Sequence, residues 1–198
     1  MKRKLSILFL VFLLLGGGYF SYQAIKIDLK AQVAQILLNH AWQQSLKNGE
    51  GAQPWPSFDG RPIFKLVITK HQVSQIVLDG TSGQSLAFGP GFHSETHLPH
   101  MNRTTAISSH RDSHGNFIKN LIVGDEIQLQ DLHKEWHYYI VDDFLIINVH
   151  DQNKITNTKG LLLITCYPFN AITSGTPLRY IVSARKIIKN NNKDQSFS

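Results

Sequence analysis

The sequence predicts an all-β domain of about eight short strands, closed as a barrel or stacked as a sandwich, behind an apolar N-terminal segment. Three observations predict it. Short apolar runs alternate with turn residues from about residue 56 onward. Little helical patterning lies between those runs. At 198 residues the chain is long enough for one domain with a real core plus a short appendage.

The first element is the segment Leu5–Tyr22, which opens LSILFLVFLLL and is 18 residues without a charge. At helical rise it spans about 27 Å, just enough to cross a bilayer. Lys2, Arg3 and Lys4 precede it, and no acidic residue occurs before Asp28. The positive-inside rule then keeps the N-terminus in the cytoplasm and exports the rest, with Tyr19 and Tyr22 at the far interface. The alternative is a cleaved signal peptide, but Tyr19, Phe20 and Tyr22 crowd the region where small residues should stand. The expected location is therefore the cell membrane, single-pass, with the domain on the periplasmic or extracellular face.

A helix is expected over 24–47, where Ile25, Leu29, Val33, Ile36, Leu37 and Trp42 recur at helical spacing. Pro54-Trp55-Pro56 marks entry to the main domain. Strands are expected at Ile63–Thr69, Val73–Leu78, Thr104–Ser109, Glu126–Gln130, His137–Val141, Leu145–Val149, Leu161–Thr165 and Leu178–Ala184. The tail NNNKDQSFS is polar and expected to be disordered. The expected organisation is a basic tip and anchor over 1–22, a helical linker over 23–55, the folded domain over 56–188 and the tail over 189–198.

The net charge of +6 is spread over both ends without a basic helix or an aromatic–basic stripe, so nucleic-acid binding is not expected. The single cysteine excludes an internal disulfide and a multi-cysteine metal site. A free thiol in an oxidising, exported space calls for a function.

Cys166 ends the apolar run Leu161–Thr165, and Pro168 stops the strand just after it. His110 ends another strand, before Arg111-Asp112-Ser113-His114-Gly115. Arg179 stands near the start of a third, on the face opposite Leu178, Tyr180 and Val182. A neutral-pH thiol is only about 3 % thiolate, and a nearby imidazolium or guanidinium raises that fraction. Histidine can protonate a leaving amine and deprotonate an incoming one, and arginine offers fixed donors to an oxyanion. The three types suffice for acyl transfer through a thioester. A turn histidine, one of ten in the chain, and a rim salt bridge are the plain alternatives for His110 and Arg179.

These segments resemble the sortases. LLLITCYPF resembles the family's Thr-x-x-Thr-Cys signature, with Leu162 in place of the first threonine. TPLRYIVSAR resembles its arginine strand. SSHRDSHGNFIKNLIVGDEIQL resembles its histidine region, with Ser109 where glycine often precedes the histidine. The resemblance covers about residues 58–188 in the family's order, and its details are most like the class D/E and Gram-negative branch. It implies an eight-stranded β-barrel with short helices behind an N-terminal transmembrane helix. It implies His110, Cys166 and Arg179 as catalytic residues, with Thr165, Ser109 and Tyr167 at the oxyanion or substrate. It implies a substrate protein with a C-terminal sorting motif resembling Leu-Pro-x-Thr-Gly, cleaved after Thr and passed to an amine acceptor. The groove would run between the connections at about Asn148–Gly160 and Tyr167–Pro177.

Other groupings point elsewhere. His93, His97 and His100, with Glu95, sit in a Gly/Pro-rich loop whose spacing fits no standard zinc motif. Asp142, Asp143 and Glu126 show no clustered calcium pattern. No metal or cofactor is expected. Asp112 could orient His110 or cap a turn, and Arg111 competes with Arg179 as the site's cation. A cysteine hydrolase on the same scaffold and a non-catalytic membrane-tethered β-domain are the alternative functions.

Overall fold

The computed structural model describes residues 2–151, 159–171, 173 and 175–189, with the backbone alone for 2–11 and 20–31. A single helix, α1, runs over Lys2–Asn48. Eight strands follow: β1 (Pro62–Ile68), β2 (Val73–Asp79), β3 (Gly91–Phe92), β4 (Thr104–Ser108), β5 (Glu126–Gln130), β6 (Trp136–Asn148), β7 (Gly160–Tyr167) and β8 (Leu178–Ile187). A short helix, α2 (Gly83–Phe88), lies between β2 and β3. The strands close in the order β1-β2-β3-β4-β7-β8-β6-β5, a barrel as the family resemblance implies. Among the described residues, β2–β3 and β4–β7 pair in parallel and the other neighbours antiparallel.

The count of eight is met in a different way from the expected one. The runs His137–Val141 and Leu145–Val149 are one strand, β6, whose register shifts between Val141 and Asp143. The extra residue there is a bulge, which breaks the period-2 pattern without ending the strand. The strand that replaces the lost one is β3, only two residues long, and two residues carry no periodicity.

Alternation along the strands sorts the side chains. Phe64, Leu66, Ile68, Ile127, Leu129, Leu161, Leu163, Val182 and Ala184 fill the barrel interior. The intervening positions Ala106, Ile147, Leu162, Ile164 and Ile181 form a second apolar layer on the outer face of β4, β7, β8 and β6. That outer layer becomes the floor of the site.

The chain divides into two compact units, Met1–Leu37 and Leu38–Ser198. Within the second, Leu38 and Trp42 pack with Phe58, Ile76 and Leu78 against the outside of β2. Trp55 stacks on Phe58 at 4.3 Å between centroids. Within the first, Val33, Ile36 and Leu37, three of the residues that recur at helical spacing, are exposed. Of the expected anchor, the described side chains Phe12–Leu15 and Tyr19 are also exposed, and those at 5–11 and 20–22 lie outside the described residues. Among the described residues no helix is long and apolar enough to cross a membrane. The tail expected to be disordered lies, after Lys189, outside the described residues.

Candidate active site

Two of the three expected residues lie on neighbouring strands, and His110 lies two residues past the end of a third, β4. Cys166 on β7 is the direct register partner of Arg179 on β8. On its other side β7 pairs in parallel with β4, Ser108 opposite Ile164, and the Ser109 N–H extends the ladder to the Ile164 carbonyl at 3.0 Å. His110, two positions beyond Ser108, falls level with Cys166, two beyond Ile164. Strands lie about 5 Å apart, so His110, Cys166 and Arg179 form one row across β4, β7 and β8. Parity puts all three on the outer face, with Cys166 and Arg179 each two residues from Ile164 and Ile181.

The row lines a cavity of about 450 Å³ floored by Ile164. Thr81, Leu86 and His93 line it from the β2–β3 side, and Val149 and Gly175 from the connections after β6 and β7. The expected groove walls at Asn148–Gly160 and Tyr167–Pro177 thus each contribute a lining residue, while 152–158, 172 and 174 lie outside the described residues. Cys166 is half-buried. His110 is exposed at its strand end. The Nη1 of Arg179 donates to the carbonyls of Thr176 at 2.6 Å and Leu178 at 3.0 Å, which fixes the guanidinium at the mouth of the β7–β8 connection.

The histidine segment is locked to the cysteine strand. Thr165, 2 % exposed, donates its hydroxyl to the Ser109 carbonyl at 2.9 Å. The N–H groups of Ser113 and Gly115 both reach the His110 carbonyl. A Cβ at Gly115 would stand 2.5 Å from Ser109 Oγ and 2.9 Å from the His110 carbonyl, so this turn folds down only on glycine. Next in the turn, burial holds the His114 imidazole below its usual range; the Ala87 carbonyl opposes this and the charge of His110 adds to it.

The Sortase domain family model matches residues 66–187, more than half of the chain. The chain belongs to the sortase family. It is 30 % identical over 125 residues to Sortase D of Bacillus subtilis (strain 168), covering 62 % of each. This sortase is also similar to a Clostridium perfringens Sortase D5 transpeptidase, with a TM-score of 0.62 at 21 % identity over 79 % of this chain and 99 % of that one. Sortase A from Corynebacterium diphtheriae matches with a TM-score of 0.60 at 20 % identity, over 68 % of this chain and 64 % of that one. The chain therefore spans less than two thirds of the Bacillus subtilis and Corynebacterium diphtheriae proteins. Similarity to the Sortase D of Bacillus subtilis agrees with the class D/E features of the sequence.

The remaining sequence candidates fall into place around the row. Arg111 has a buried side chain; Nη1 donates to the Pro168 carbonyl at 2.7 Å and Nη2 to the Ala171 carbonyl at 2.8 Å. It therefore ties the histidine turn to the connection after the cysteine. Asp112 pairs with Arg111 Nε at 3.1 Å. Tyr167, past Cys166 and of the opposite parity, stacks with Tyr180 and meets Phe169 edge-on, so its ring supports the strand end.

Two features are more specific than the sequence indicates, where His93 reads only as part of a polar loop near the active-site rim. His93 reaches the cavity, with Nε2 2.6 Å from Ser108 Oγ. His97 instead approaches Arg103, so the loop histidines go to separate partners. Among the described residues, one possible metal-ligating group is found at the other end of β6, where Asp131, Glu135 and His137 each offer an atom within 4.8 Å of the others. Asp131 there accepts from the His133 and Glu135 N–H groups and bonds His137 at 2.8 Å, which closes the β5–β6 turn.

Proposed function

We propose that this sortase is a cysteine transpeptidase whose nucleophile is Cys166, with His110 as acid and base and Arg179 as the donor to substrate carbonyl and oxyanion. The single observation that carries the reading is the row in one cavity: a thiol paired across β7–β8 with a guanidinium and lined up with an imidazole just past the end of β4, over an apolar floor. Cationic neighbours favour the thiolate. The thiolate attacks a peptide carbonyl, and Arg179 donates to the oxygen that becomes negative. His110 gives its proton to the leaving amine and a thioester remains. An amine acceptor then attacks that carbonyl, and the C–S bond breaks to return the cysteine.

The substrate is a protein with a C-terminal Leu-Pro-x-Thr-Gly-like sorting motif. The support is family membership, together with the fold shared with a Clostridium perfringens sortase C solved with the C-terminal cell wall sorting motif. That likeness has a TM-score of 0.58 at 19 % identity. Thr165 and Ser109 serve by holding the histidine level with the cysteine, through the hydroxyl-to-carbonyl bond.

Leu5–Tyr22 anchors the enzyme in the membrane, and the catalytic domain faces the exported side. The uncharged stretch behind Lys2, Arg3 and Lys4 supports this, as do the exposed Phe12, Leu13, Leu14 and Leu15.

The test is cleavage of a quenched fluorescent peptide pool of the form Leu-Pro-x-Thr-Gly, with and without triglycine as acceptor. Cleavage lost in Cys166→Ala and a ligated product formed with triglycine support the reading. Cleavage that survives Cys166→Ala overturns the nucleophile. Hydrolysed product alone, at every acceptor concentration, makes the enzyme a hydrolase.

A further inference from the structure

His93 follows β3 and shares the cavity with Cys166, yet the transpeptidation steps above leave it unused. Its Nδ1 lies 2.9 Å from Glu95 Oε1 and its Nε2 lies 2.6 Å from Ser108 Oγ. A carboxylate only accepts, so in the neutral ring the proton sits on Nδ1 and Nε2 accepts from the Ser108 hydroxyl. The Glu95 carboxyl is held below its usual range by its own backbone N–H and then by His93, so it remains an anion. Ser108 lies on the outer face of β4, two residues before His110. A carboxylate–imidazole–hydroxyl chain therefore ends in the cavity two residues before the catalytic row.

The proton balance of the second half-reaction calls for such a chain. A primary amine reaches the thioester mainly as an ammonium ion, since α-amino groups have pKa values of about 7.7–8.0 and lysine about 10.4. Only the free amine has a lone pair to attack with. Aminolysis forms a C–N bond, breaks the C–S bond and releases two protons from nitrogen. The Cys166–His110 pair in its resting state takes back one. The other must leave before attack.

We propose that the Ser108–His93–Glu95 chain removes this first proton, which makes His93 the second base of the site and a primary ammonium the species it receives. Ser108 Oγ takes a proton from the ammonium as its own passes to His93 Nε2. The resulting imidazolium is held by Glu95. With His93 25 % and Glu95 73 % exposed, the proton then returns to water. Among the described residues, the other charged or titratable groups facing this cavity are His110, Arg111, Asp112, Cys166 and Arg179. Arg111 and Asp112 are paired with each other, and His110 and Cys166 are engaged in the thioester step. Arg179 cannot act as a base.

The inference rests on the thioester reading, and its test separates the two. The full chain in detergent is given the Leu-Pro-x-Thr-Gly pool with either triglycine or hydroxylamine, the latter already unprotonated at neutral pH. His93→Gln and the exposed, structurally mild Glu95→Gln are compared with the parent. The relay predicts that the ratio of triglycine product to hydroxamate falls several-fold at pH 7, to a limit of about tenfold set by the roughly one tenth of triglycine that is already free amine there. It also predicts that the ratio recovers toward the parent's at pH 9, where triglycine is a free amine. Equal losses with both acceptors, as a purely structural role would give, overturn the relay. So does a ratio unchanged from the parent. A parent enzyme that forms neither product nor any acyl adduct overturns the thioester reading itself, and the relay with it.

Discussion

Replacing Arg111 by methionine tests whether the histidine turn and the connection after the cysteine are one mechanical unit. The guanidinium makes two good bonds to that connection, at 2.7 Å to Pro168 and 2.8 Å to Ala171. Its approach to the Thr173 carbonyl, at 3.5 Å, is too long to count. Bonds from a charged group contribute about 1.5–3 kcal/mol each, so two give about 3–6 kcal/mol before relaxation. Asp112 is 75 % exposed and rehydrates at little cost when its partner is lost, and the freed carbonyls recover some water. The expected loss is about 2–4 kcal/mol, or about 4–16 °C in Tm for a chain of this size. Arg111→Lys keeps the charge but reaches one carbonyl, so it should lose about half as much. Thermal unfolding measures both, and peptide cleavage by the same variants should fall more steeply than Tm alone explains. A methionine variant that melts within 1 °C of the parent, with cleavage intact, refutes the tether.

Gly115→Ala forces a Cβ against the Ser109 hydroxyl and the His110 carbonyl, so it should cost about 1–3 kcal/mol and lower kcat by displacing His110; parent-like turnover would show that the turn can yield. Asp125 governs an acid limb at the far side of the barrel. Burial pushes its carboxyl up, but bonds from Lys70 at 2.6 Å, the Ile122 N–H at 3.0 Å and His71 at 2.6 Å outweigh this and hold it below its usual range. A folded value below the unfolded value of about 3.9 means stability that is present above about pH 4 and lost as pH falls through the folded value. Asp125→Asn should therefore lower Tm at pH 6 and lose less on acidification to pH 3 than the parent; parallel melting curves would remove Asp125 from the acid response.

Much of this arrangement was legible in sequence because it is local. The runs behind β1 and β5 alternate, those behind β2, β4, β7 and β8 are short apolar blocks bounded by turn residues, and the strand-end positions of Cys166, His110 and Arg179 follow from Pro168, the Arg111–Gly115 break and the parity of Leu178–Val182. What escaped is short, irregular or non-local. β3 and the six-residue α2, capped by Ser82 through the Ser85 N–H, are too brief for periodicity to register. The bulge at Val141/Asp143 disguised one strand as two. The face of α1 that packs in the barrel unit is set by Leu38, Ala41 and Trp42, whereas Val33, Ile36 and Leu37 were equally apolar candidates. Arg111 finds carbonyl partners some 57 and 60 residues away, and His93 meets Ser108 across the β3–β4 pair. No spacing rule announces either.

The central claim is that Cys166 carries the acyl group, and intact mass of the full chain tests it most directly. After incubation with the Leu-Pro-x-Thr-Gly pool and no added amine, the mass should rise by that of the acyl fragment ending at Thr, the free-acid peptide less one water. The adduct should map to Cys166, be discharged by hydroxylamine, and be absent in Cys166→Ala. An adduct on any other residue, or cleavage of the pool by an enzyme whose Cys166 stays unmodified at every time point and whose Cys166→Ala variant still cuts, would contradict it.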